Sequence, residues 1–160
     1  MPDPSSIGIE LRPANADDMN FVYSSWLSSV ATGEKRRTPK EIVYKNHREI
    51  MARALNKSYV LIACMHDHKD QILGWLCYED TVLHYVYVKQ TFRKHGVASM
   101  LVNHLNLDEP YTVTHWSWRL WDISKTHKLV YNPYLLMPTE HIPWLGERNG
   151  DYGNYIVPPE

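Results

Sequence analysis

Three cationic or titratable side chains precede a glycine in the run Arg93-Lys94-His95-Gly96-Val97-Ala98. That composition suits the binding of an anion, because arginine and lysine offer charge-assisted donors and a glycine lets the backbone approach a ligand closely. If Gly96 opens a helix, the helix's first free N–H groups and positive dipole end favour a phosphate at the same place. Lys89 lies upstream and can assist. A solvated basic loop is the plainer account of these residues. Proton transfer has its own candidates. His84 carries an imidazole whose ordinary pKa of about 6.5 lets it take a proton near neutral pH, although a strand histidine also serves as a hydrogen-bonded packing residue. Glu79 and Asp80 stand just before it.

Three further groups invite a chemical reading. His66-x-His68 with Asp67 and Asp70 has ligand types for a metal, but they crowd into one turn, and no second His or Cys pair stands at a zinc-site spacing. A polar hairpin turn accounts for them, and no metal is expected. Trp116, Trp118 and Trp121 beside His115 could stack bases or line an acceptor pocket, yet Trp116 and Trp118 would share one strand face and read as core. Lys35-Arg36-Arg37 could meet an acidic substrate or form a solvated loop.

The elements around Gly96 follow from periodicity. Val82 to Val88 is a β-branched and aromatic run of strand length, and Val97, Met100, Leu101, His104 and Leu105 recur at helical spacing up to about Leu107. Upstream, Ile7 to Leu11 alternates as a first strand that Arg12-Pro13-Ala14 ends. Asn15 then caps a helix whose apolar face is Met19, Val22, Tyr23, Trp26, Leu27 and Val30. Thr32 to Pro39 breaks it, and a second helix runs from Pro39 to Asn56 with Val43, Ile50, Met51, Ala54 and Leu55 inward. Tyr59–Met65 and Gln71–Tyr78 form a hairpin that places Cys64 opposite about Leu73, so no disulfide to Cys77 is expected. Tyr111 to Trp118 is a fifth strand. The result is an α/β (α+β) domain with a mixed sheet, in the order β-α-α-β-β-β-α-β. Beyond Tyr131 the prolines at 133, 138 and 143 interrupt regular structure, which divides the chain into a domain at 1–131 and an irregular, aromatic-rich tail at 132–160.

With 160 residues, 17 Lys+Arg and 18 Asp+Glu, the chain suits a single core and lacks the bulk positive charge of a non-specific nucleic-acid binder. No stretch approaches the ~20 apolar residues of a membrane span, and the N-terminus does not read as a signal peptide. A cytoplasmic protein is expected, with no membrane or nucleic-acid partner and its oligomeric state open.

Arg93-x-x-Gly96-x-Ala98 after a strand resembles the pyrophosphate signature Q/R-x-x-G-x-G/A of the GNAT (GCN5-related N-acetyltransferase) superfamily. The element order resembles the family's from residue 7 to 131. The resemblance implies an acetyl-CoA-dependent N-acyltransferase with acetyl-CoA as co-substrate. Its acceptor would be an amine on a small molecule or protein, attacking directly within a ternary complex. It further implies main-chain contacts from Tyr87 and Val88 to the pantetheine arm. Pyrophosphate would bind the amides of Lys94, His95, Gly96, Val97 and Ala98, with Arg93 adding charge. Members with a strand-borne glutamate base carry it nine residues before the motif, which falls on His84. A fourth-helix pattern, N-x-x-A-x-x-x-Y, is similar in spacing to Ser124 to Tyr131, without its asparagine and alanine. That makes Tyr131 the expected acid and Tyr134 the fallback. The proline-rich end distantly resembles acetyltransferase-like proteins of bacteriophage genomes. A non-catalytic module that keeps the scaffold to bind CoA or a protein partner is the alternative.

Overall fold

Alternating apolar residues in the strands and apolar stripes on the helices produce three layers. The computed structural model describes residues 8–32 and 38–136. Six strands form one sheet in the order β1-β2-β3-β4-β5-β6: β1 Ile9–Pro13, β2 Tyr59–Met65, β3 Ile72–Glu79, β4 Val82–Val88, β5 Tyr111–Val113 and β6 Leu129–Tyr131. The first four pair antiparallel, while β4 with β5 and β5 with β6 are parallel. Helices α1 Met19–Thr32 and α2 Lys40–Asn56 cover one face, with Val22, Trp26, Met51 and Ala54 buried against Ile62, Trp75 and Tyr85. The other face is covered by α3 Val97–Leu105 and α4 Trp118–Ile123. There Val97, Leu101, Leu120 and Ile123 pack on Leu61, Leu76, Leu83 and Val86. Each fully buried aliphatic side chain of this kind contributes about 1.5–3 kcal/mol.

Several expectations change. The first strand includes Arg12 and Pro13, because the Arg12 guanidinium is held by both Asp18 oxygens at 2.7 and 2.9 Å and keeps the chain extended. Asn15 caps a 3-10 turn at Ala16–Asp18 ahead of α1, and Tyr23 turns outward. The expected fifth strand stops at Val113. Trp118–Ile123 is helical instead, since Leu120 and Ile123, three residues apart, both reach the core only from a helix. The run Ser124–Tyr131 is not a helix. Its last three residues form β6, paired with β5 in register from Tyr111↔Leu129 to Val113↔Tyr131. Cys64 stands opposite Ile72, because a bulge shifts the register by one residue, and both cysteines are buried free thiols. Of the tail, Pro133–Leu136 makes a 3-10 turn whose Leu136 carbonyl accepts from Arg53 Nε at 2.7 Å. Ile7, the Lys35-Arg36-Arg37 loop and residues 137–160 lie outside the described residues. Among those described, no helix is long and apolar enough to cross a membrane.

Candidate functional site

The site is built where β4 outruns its neighbour. β4 and β5 pair only at Val82↔Thr112 and Leu83↔Val113, and the last link is Thr114 N–H to the Leu83 carbonyl at 3.2 Å. Past that point β4 continues to Val88 with no β5 partner among the described residues. The strands therefore part beyond Leu83 and open a cleft through the sheet. A bulge sits at its base. Cys77 pairs with Tyr85 and Tyr78 with Leu83, so His84 is the extra residue of β4.

At the far end of β4 the chain turns through a 3-10 turn, Gln90–Phe92, into the basic loop. Arg93 Nε donates to the Val88 carbonyl at 3.1 Å, and His95 Nδ1–H to the Arg93 carbonyl at 2.9 Å. Lys94 and Gly96 both have left-handed backbones, φ 66° and 78°. Gly96 caps α3 without a side-chain hydrogen bond, so the amides of the first turn remain for a ligand. Val97 anchors this turn to the sheet. Gly74, opposite Val88 on β3, has no side chain where a Cβ would stand 2.5 Å from the Tyr87 carbonyl and 3.3 Å from Val97 Cγ1. Tyr87 faces the α1–α2 side, edge-on to Phe21 at 6.0 Å, and Val88 is buried toward α3. Lys89 is turned away from the loop, with Nζ 5.0 Å from the Phe21 ring centre. Ala98 is half-buried on α3.

His84 is fully buried, with 0% exposure. Its Nε2 lies 3.2 Å from Glu79 Oε1 and its Nδ1 3.0 Å from Thr114 Oγ1. Lys57 Nζ approaches the same Glu79 oxygen at 3.4 Å. Burial holds the His84 pKa below its ordinary value, against the opposing pull of Glu79. From Thr114 the contacts continue across the cleft. Thr114 Oγ1 is 3.1 Å from His115 Nδ1, and His115 Nε2 is 3.1 Å from Nε2 of His47 on α2. The His115 pKa is pushed down to about 3, first by burial and then by His47. Around the pair stand Trp26, stacked on Tyr85 at 5.1 Å, and the Tyr85 hydroxyl, 2.5 Å from Ser29 Oγ. Tyr131, by contrast, is 52% exposed on β6 and packs edge-on to Trp116 at 6.0 Å. It is level with the mouth of the cleft but two strands from His84.

His47 and Thr114 are additions to the residues expected from the sequence. His47 had a legible signal, since it lies four residues from both Val43 and Met51 on the inward line of α2. Thr114 and His115 had none, because their roles depend on where β5 leaves β4.

Comparison with known folds supplies the context. No family model matches the chain, and no curated protein matches it in sequence. Among solved structures it is similar to the histone acetyltransferase HPA2 and related acetyltransferase from Corynebacterium glutamicum. That match has a TM-score of 0.54 and 15% identity, over 74% of this chain and 82% of the other. The fold is GNAT-like. Two others are a possible acetyltransferase from Clostridium difficile 630, with TM-score 0.46, 15% identity and 93% and 90% coverage, and a GCN5-related N-acetyltransferase from Rhodopseudomonas palustris, with TM-score 0.46 and 17% identity. The last match covers 61% of this chain and 62% of that one. At these identities the likeness concerns architecture. All three are bacterial, and the bacteriophage likeness finds no counterpart among them.

Proposed function

We propose that the chain is an acetyl-CoA-dependent N-acyltransferase acting on an amine of a small molecule or protein, by direct transfer within a ternary complex. The observation that carries this reading is the cleft between β4 and β5 ending in a glycine-capped helix. One wall is the stretch of β4 beyond the β5 ladder, extended as a thioester-bearing arm would be, and at its end the amides of the α3 N-terminus meet basic side chains. In this reading the amides from Lys94 to Ala98 hold the pyrophosphate, Arg93 supports it, and the main chain of Tyr87 and Val88 meets the pantetheine. The amine attacks the thioester carbon, a C–N bond forms, the C–S bond breaks, and the thiolate takes a proton. Tyr131 is the proposed donor, supported by its exposed phenol beside the cleft mouth. His84 is proposed to serve the base through its hydrogen bonds, since its buried ring does not itself face an amine. Two buried free thiols fit a reducing, cytoplasmic setting.

That same burial favours a second reading, in which the scaffold binds CoA or a protein partner without catalysis. Titration calorimetry with acetyl-CoA, followed by thiol release against a panel of amines, tests both. Binding with amine-dependent thiol release supports the enzyme, and binding without release supports the module. If acetyl-CoA does not bind, both CoA-based readings fail.

A further inference from the structure

We propose that residues 132–136 form a strap across the α1–α2 side of the cleft, latched by Arg53, and that the acceptor amine enters when the latch opens. This rests on the acyltransfer reading, and it assigns the Arg53 side chain a part in regulating access to that site.

The two ends of the segment place it there. At its start the Asn132 N–H donates to the Val113 carbonyl at 2.8 Å, and the next residue of that strand, Thr114, makes the last link to β4. Asn132 thus stands on the β5 side, where the cleft begins. At its end the Leu136 carbonyl accepts from Arg53 Nε on α2 at 2.7 Å. The Leu136 side chain is 3% exposed and lies in the layer that holds Trp26, Met51, Ala54 and Tyr85. The chain therefore runs from the strand beyond the parting to a helix packed over the strands before it. On the opposite face, Val97 and Leu101 of α3 and Leu120 and Ile123 of α4 are buried with Leu83, Val86 and Val113. Those helices cover both sides of the parting, so an amine bound for a thioester along β4 comes from the α1–α2 side, past the strap.

Between its ends the strap is built to open. Tyr134 and Leu135 are 71% and 45% exposed, and the Tyr134 N–H turns back to Asn132 Oδ1 at 3.1 Å, within the strap itself. A segment with an exposed middle opens locally at lower cost than the core beneath it. The closed form is then set by the Leu136 side chain and by the hydrogen bond from a charged donor, whose loss shifts the balance toward the open form by about 10-fold. A ligand that binds the open form alone shows an affinity scaled by the open fraction. Acetyl-CoA, held along β4 and at the α3 N-terminus, does not pass the strap, so the latch acts on the amine and not on the co-substrate. Arg53 acts through the strap and is a positioning residue, without contact to the reacting atoms.

Two measurements test this. Native-state hydrogen exchange of the wild type should show the amides of 134–136 exchanging by local opening, at rates independent of low urea, while β3 amides follow global unfolding. Strap amides that follow β3 overturn the gate. In steady-state kinetics with acetyl-CoA and an amine the wild type accepts, Arg53→Ala should lower the KM for the amine about 10-fold, with kcat and the Kd for acetyl-CoA unchanged. Arg53→Lys, which can still donate to the carbonyl, should bring KM back toward wild type. A merely structural Arg53 gives a different result, with Tm lowered and no gain for the amine. An amine KM in Arg53→Ala that equals or exceeds the wild-type value overturns the proposal. Should that variant not fold, exchange in the wild type still decides. A wild type that acetylates no amine sinks the acyltransfer reading and the gate together, whereas an active enzyme whose amine KM ignores Arg53 sinks the gate alone.

Discussion

Gly74→Ala tests whether the close approach of β3, β4 and α3 sets the position of the proposed anion cradle. The added methyl would meet the Tyr87 carbonyl oxygen at 2.5 Å, and Val88 Cα and Val97 Cγ1 at 3.3 Å each. Two of the three neighbours are backbone atoms, so the strain cannot be relieved by turning a side chain alone. Over-packing a well-filled core by one methyl costs about 1–3 kcal/mol, and the loss of glycine's freedom in the unfolded chain returns about 0.4–1 kcal/mol. The net loss of about 1–2 kcal/mol should lower Tm by about 2–8 °C for a domain of this size. Relief requires either β3 and β4 to part near Val88 or Val97 to lift the first turn of α3. Both displace the amides beyond Gly96, so acetyl-CoA affinity should fall at temperatures where the variant is fully folded. Gly8→Ala is the control. Unlike Gly74 it has a positive φ, +70°, and it has no atom within 4 Å of the new Cβ. Its cost is about 1 kcal/mol of backbone strain, with acetyl-CoA binding unchanged. Differential scanning calorimetry and isothermal titration on the pair are decisive. Unchanged Tm and affinity in Gly74→Ala would refute the claim that this contact positions the cradle.

Gly96→Glu puts a side chain on a residue at φ 78° and a negative charge at the proposed anion site. It should abolish acetyl-CoA binding in calorimetry while circular dichroism stays native. Asp18 is held below its ordinary carboxylate range, first by the hydrogen bond from Arg12 and further by the Asn15 backbone. A depressed folded-state pKa adds stability that is present above the unfolded value near 3.8 and lost as pH falls through the lower folded value. Asp18→Asn should therefore be less stable in urea at pH 7 by about 1–3 kcal/mol. The gap to wild type should narrow below pH 4, and a gap constant from pH 7 to pH 2 would contradict the ion-pair account. Tyr131→Phe removes only an exposed hydroxyl, so Tm should hold while kcat falls about 10-fold if the phenol protonates the thiolate. Full activity would shift the donor role to Tyr134 or water.

Strands β2 to β4 and helices α1 to α3 were legible because their apolar residues repeat at periods that burial on one sheet face demands, as at Val43, Met51 and Ala54. The Gly96 loop was legible for a different reason, since its glycine, basic residues and flanking elements are all contiguous. What stayed hidden depends on distant parts of the chain. Trp118–Ile123 and Leu129–Tyr131 have patterns too short to separate helix from strand, and the sheet edge they complete decides between them. His84 could be placed on β4, but its burial, and its links to Glu79, Thr114 and beyond, follow from a bulge and from the parting of β5, neither of which leaves a local signal.

That bulge also changes the parity of β4. Leu83 and Val86 face α3, while Tyr85 and Tyr87 face α1 and α2, so the alternation on the two sides of His84 is out of step by one residue. Replacing His84 alters one side chain, whereas deleting it would remove the bulge and make Leu83 and Tyr85 neighbours in a regular alternation, leaving both tyrosines on the α1–α2 face and Val86 and Val88 in the layer that holds Val97 and Leu101. An alignment of this segment with a regular strand must therefore open a single-residue gap at position 84, or it will match the residues of one face with those of the other all the way to Val88.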